Sequence, residues 1–132
     1  MSDSFTIQHC HNGIIKFRIY NLTPESAAAW ELIVQQLYCE AIQQGQHLRI
    51  LYDMRDAGIP PREVANAMIR TTHALPDNFS RSSAILTLPH MLGLMEREVR
   101  RLPRRSVQNV KLFLTEQEAL AWLEGRHEAI AS

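Results

Sequence analysis

The chain has 132 residues, of which 45% are hydrophobic and 21% charged, a size and balance that suit one domain with a core of its own. Fourteen basic side chains cancel fourteen acidic ones, which argues against a dedicated nucleic-acid binder. The two cysteines, Cys10 and Cys39, lack C-x-x-C spacing, so neither a disulfide framework nor a metal site is suggested and a reducing, cytoplasmic setting is expected.

Met1-Ser2-Asp3-Ser4 has no basic start or apolar run of the kind that opens a signal peptide. No stretch approaches the ~20 apolar residues of a membrane span, so no integral membrane segment is expected. Phe5–His9 and Ile15–Tyr20 alternate apolar and polar residues, the period of half-buried strands. Asn12-Gly13 between them is a tight-turn pair and predicts a hairpin. Its apolar set, Phe5, Ile7, Ile15, Phe17 and Ile19, faces the core, and Lys16, Arg18 and Tyr20 point the other way. Thr23-Pro24-Glu25 supplies an N-cap, a proline at the first helical position and an early acid. Trp30, Ile33, Val34, Leu37 and Ala41 follow at helical spacing up to Gly45.

Leu48–Tyr52 reads as a short apolar strand running into Asp53-Met54-Arg55-Asp56-Ala57-Gly58. Pro60-Pro61 opens a second helix that Pro76 stops. Ser83–Leu88 is the next strand, and Met91, Leu92, Met95, Val99 and Leu102 trace a third helix ended by Pro103. The last strand runs from Val107 to Leu114, and Thr115 with Glu118 forms a capping box for the last helix. The order predicts an α/β single domain over residues 1–132. An N-terminal β-hairpin leads into βαβαβα-type crossovers, giving a mixed five-stranded sheet backed by about four helices.

This order of elements, with Leu48-Arg49-Ile50-Leu51-Tyr52-Asp53 in its middle and Val110-Lys111-Leu112-Phe113 leading to Glu118-Ala119-Leu120-Ala121-Trp122-Leu123 at its end, resembles the STAS-like domains. It looks closest to the small bacterial proteins grouped with anti-sigma-factor antagonists and CRAL-TRIO-type lipid-binding domains. The resemblance implies a non-enzymatic protein that works by binding a protein partner, with no cofactor, and its lipid-binding side implies a hydrophobic small molecule as the alternative ligand. It also implies a switch on a phosphorylated serine or threonine at the start of the second helix. The matching stretch here, Ala57-Gly58-Ile59-Pro60-Pro61-Arg62-Glu63, has no hydroxyl, and its prolines remove backbone donors that a phosphate would use.

Open α/β sheets place ligands beyond the carboxyl ends of their strands. Asp53, Arg55 and Asp56, bordered by Gly58, Ile59 and Pro60, are therefore the candidate ligand or partner site. The alternative is that the two aspartates satisfy loop N–H groups and pair with Arg55. Arg97, Arg100, Arg101, Arg104 and Arg105 form a basic surface for an acidic partner, a phospholipid headgroup or an RNA backbone, or else a solvated helix face. His9-Cys10-His11 alternates along a strand and lacks a further ligand pair, so no metal is expected. Met68, Met91 and Met95 read as core filler, and no G-x-S-x-G, G-x-x-x-x-G-K or H-E-x-x-H motif occurs. Strand parity turns Val110, Leu112 and Leu114 toward the helices and leaves Phe113 on an open sheet face with Leu51 and Ile85. A patch of that kind calls for a cover, which predicts a homodimer.

Overall fold

The structure is a computed structural model describing residues 4–74, 80–104 and 108–131. Pro76, Val107 and Arg105, which carry expectations above, lie outside the described residues.

The hairpin forms as its turn dipeptide dictates. β1 (Phe5–His9) and β2 (Ile15–Ile19) pair antiparallel from Phe5↔Ile19 to His9↔Ile15. Asn12 (φ 67°) and Gly13 (φ 78°) supply two successive left-handed residues, the twist that tight hairpins need. α1 (Pro24–Gln44) starts at Thr23, whose Oγ1 accepts from the Ser26 N–H at 3.1 Å, while Ser26 Oγ accepts from the Thr23 N–H at 2.8 Å. Serine here does the reciprocal work that glutamate or glutamine does in the usual capping box.

β3 (Leu48–Asp53) is buried along its whole length. α2 (Arg62–His73) begins after an extended Pro61. β4 (Arg81–Leu86) starts two residues before the expected Ser83, and this places Arg81 inside the sheet. A 3-10 turn (Pro89–Met91) precedes α3 (Leu92–Val99), which ends short of the expected Leu102. β5 (Val110–Phe113) is followed by α4 (Glu116–Ala131). Thr115 Oγ1 accepts the Glu118 N–H at 3.3 Å and donates to the Glu118 carboxylate at 3.0 Å. The expected capping box is thus formed on its threonine side, with the carboxylate drawn to the hydroxyl.

The strands lie in the order β1-β2-β3-β4-β5, the first pair antiparallel and the rest parallel. This is the mixed five-stranded α/β sheet that the alternation of elements implies. Register sorts the side chains. Phe17, Tyr52, Ile85 and Leu112 stand in one row, on the face where α1, α2 and α3 supply Trp30, Val34, Met68 and Met95. Rings dominate that layer: Phe17 stacks on Tyr52 at 5.4 Å, and Trp30 tilts against Tyr52 at 6.2 Å. The opposite face carries Leu51, Ala84, Leu86 and Phe113, covered by Ala119 and Leu123 of α4.

That second layer corrects the expectation of an open sheet face. Phe113 is on the side that parity assigns to it, but Trp122 of the chain's own α4 covers it at a ring distance of 5.7 Å. Leu51 is fully buried, and Ile85 pairs with Tyr52 rather than Leu51, so it faces the other layer. Leu51, Ile85 and Phe113 therefore form no shared contact surface, and the face expected to need a partner chain is closed by α4. A four-residue strand followed closely by a capped helix folds that helix back over its own sheet.

Truncating Phe113→Ala should cost about 3–5 kcal/mol by leaving a cavity under Trp122. Urea unfolding at two protein concentrations checks it, because a cover from within the chain makes the loss independent of concentration.

Candidate functional site

β3 delivers its last residue, Asp53, to the carboxyl end of the sheet, where the backbone turns toward α2. The Asp53 side chain is buried, and Arg55 grips it with both ends of its fork: Nε donates to Oδ1 at 3.0 Å and Nη2 to Oδ2 at 2.8 Å. The Arg55 amide adds a hydrogen bond to Oδ1 at 3.2 Å. Burial works against the Asp53 charge, yet the Arg55 hydrogen bonds outweigh it and hold the carboxyl below the usual carboxylate range. Asp56 is exposed and pairs with Arg18 of β2, whose Nε donates to Oδ2 at 3.2 Å and whose Nη2 lies 3.1 Å from it. That hydrogen bond raises the Arg18 guanidinium further above its ordinary value. Lys16 reaches Glu116 at the start of α4, tying the same corner of the sheet to the covering helix.

The structure thus gathers Asp53, Arg55 and Asp56 at one corner, and their carboxylates are engaged by arginines. Gly58 turns the chain at φ 75°, and a Cβ on it would lie 3.2 Å from the Met91 Cε. Ile59 packs on the core, and Pro60 borders a cavity behind the loop. The basic surface is partly answered from its own helix: Arg101 binds Glu98 at 2.9 Å and also Asn66 of α2, and Arg100 lies 4.0 Å from Glu96. Arg97 and Arg104 are exposed. Among the described residues no group of three His, Cys, Asp or Glu side chains is placed to hold a metal ion.

Sequence reasoning missed the cavity. It has a volume of about 120 Å³ and opens between α1, α2, α3 and the sheet, lined by Trp30, Tyr38, Tyr52, Met68, Met95 and Arg81 among others. The wall is almost entirely apolar, and burial pushes the Tyr38 and Tyr52 phenols up. Arg81 is only 7% exposed. Its Nη1 donates to Ser83 Oγ at 3.0 Å, whereas its Nη2 has no hydrogen-bond partner among the described residues. The signal was the parity of Arg81 with Ser83 and Ile85, legible only once the strand is known to begin at Arg81.

The sequence matches no protein-family model and no curated protein. The fold does find a counterpart. An anti-sigma factor antagonist from Mycobacterium paratuberculosis superposes with a TM-score of 0.59 at 11% identity, over 91% of this chain and 92% of that one. The chain therefore has the STAS-like fold.

Replacing Arg55→Met should cost about 2 kcal/mol, because it leaves a buried carboxylate with the residue-55 amide alone and removes both guanidinium donors. The pH response separates this from a loss of packing. In the parent, the Asp53 contribution is complete above the ordinary carboxylate value of 3.8 and is lost as pH falls through the depressed folded value. Without the Arg55 side chain, burial is opposed only by the residue-55 amide and the Lys16 charge, so the folded value moves up and less stability is lost as pH falls. Urea midpoints of the two proteins across acidic pH measure the smaller acid loss of the variant.

Proposed function

We propose that this STAS-fold chain is a non-enzymatic regulatory domain that binds a protein partner at the start of α2 without a phosphoswitch. The observation that carries it is the local chemistry of that segment. From Ala57 to Glu63 there is no hydroxyl to phosphorylate, and Pro61 stands at the N-cap without a side-chain cap. Pro60 and Pro61 also lack the amide hydrogens that would cradle a phosphate. The nearby acids are engaged in ion pairs, which suits a contact surface better than acid–base chemistry. Around it Arg55, Asp56, Pro61, Arg62 and Glu63 are exposed, a mixed-charge rim of the kind that sets orientation and partner choice.

A second reading, binding of a hydrophobic small molecule, draws on the apolar cavity behind the same loop.

The first reading is tested by capturing partners from the native host with the parent chain and with an Arg62→Glu, Glu63→Arg double variant, before and after phosphatase treatment. A specific partner should lose at least about 10-fold of its recovery with the double variant, as rim charges permit, and none with phosphatase. Recovery that depends on phosphatase, or that ignores the charge exchange, would refute the reading.

A further inference from the structure

A charged group buried without a counter-charge is costly, and proteins tolerate one where something answers it. Two arginines in this sheet are buried, and they are treated differently. Arg49, on the α4 side, is answered by backbone carbonyls, donating from Nη1 to Leu123 O at 3.3 Å and from Nη2 to Asn12 O. Arg81, on the opposite side, has a single hydroxyl on Nη1, a bare Nη2, and no ion pair among the described residues. The unanswered donor stands in the wall of the apolar cavity. Another charged group in that wall, Glu98, is bound to Arg101.

We infer that this cavity is a binding site for a small apolar monocarboxylate, its carboxylate on Arg81 Nη2 and its hydrocarbon body among Trp30, Met68 and Met95. The inference rests on the second reading above and names its ligand. One guanidinium face matches one carboxylate, a planar and singly charged group. A phosphate dianion would bring a second charge that the apolar wall does not meet. Size limits the body: a dry cavity of roughly 150 Å³ holds one benzene ring, so about 120 Å³ here admits no body larger than about six carbons. Methionines on two helices allow the wall to adapt to its shape.

The probes are hexanoate and 1-hexanol, which share a body and differ in the charged head. They are titrated against the full chain while the Met68 and Met95 methyl resonances are followed. Both methyls should shift with hexanoate, which should bind roughly 10- to 100-fold more tightly than 1-hexanol, as a charge-assisted hydrogen bond implies. Arg81→Met should abolish that preference while leaving hexanol binding in place. Equal binding of the two probes by the parent chain would overturn the Arg81 assignment and leave the hydrophobic-ligand reading standing. Methyls that respond to neither probe would overturn both. The comparison on the parent chain decides the question even where Arg81→Met fails to fold.

Discussion

Everything in this fold is arranged around a central strand that has no wet side. All six residues of β3 are buried, including Arg49 and Asp53. A buried polar group must find partners or cost several kcal/mol, so each charge on β3 dictates what surrounds it. Arg49 draws the hairpin loop and the end of α4 together through their carbonyls. Asp53 recruits Arg55 and so sets the path of the chain toward α2. The two helical layers are held in place by these bonds as well as by burial of the apolar rows, each large side chain contributing about 1.5–3 kcal/mol.

The layers differ in how well they fill. Between the sheet and α4 the contact residues are small or aliphatic apart from the Phe113–Trp122 ring pair, with Ala84 and Ala119 letting the helix approach closely. On the other face three helices meet large rings, Phe17, Tyr52, Trp30 and Tyr38. Rings are rigid and do not flow into irregular gaps, and the methionines beside them do not close the space that remains. The cavity is therefore a consequence of bridging a twisted sheet with α1, α2 and α3. Arg81 enters its wall because β4 begins two residues before its apolar run. The same strand start that makes the cavity polar at one point also hides that point from a hydrophobicity pattern.

A fold shared at 11% identity is maintained by pattern rather than by particular residues. The alternation of β2, the capped α1, the buried β3 and the closing strand-helix unit are tolerant of substitution. The start of α2 is not of that kind. Its function in a phosphoswitch would need a hydroxyl and free amides, and here prolines occupy the place. The architecture does not depend on the chemistry at this one helix terminus, because the terminus contributes little to the core.

Local signals made most elements legible from the residues alone: Asn12-Gly13 for the hairpin, Thr23-Pro24 and Gly45 for the limits of α1, Thr115 and Glu118 for the start of α4. These depend on neighbours a few positions away, and a single chain carries that information. The pairing of Asp53 with Arg55 was also within reach, being two residues apart. Parity placed Phe113 on its correct side too. What covers that side was not local: α4 could dock on either face as far as its own sequence goes, and only the packing of Ala119, Trp122 and Leu123 against Leu51, Ala84 and Phe113 decides it. Arg81 is the sharper case. By sequence it is one basic residue among fourteen; its burial, its bare Nη2 and the apolar space before it arise only when three helices and the sheet converge. The sequence alone determined the order of elements, because that order is written in short-range patterns. The tertiary structure decided which face is closed and which buried donor is left without a partner among the described residues, because both depend on groups far apart in the chain.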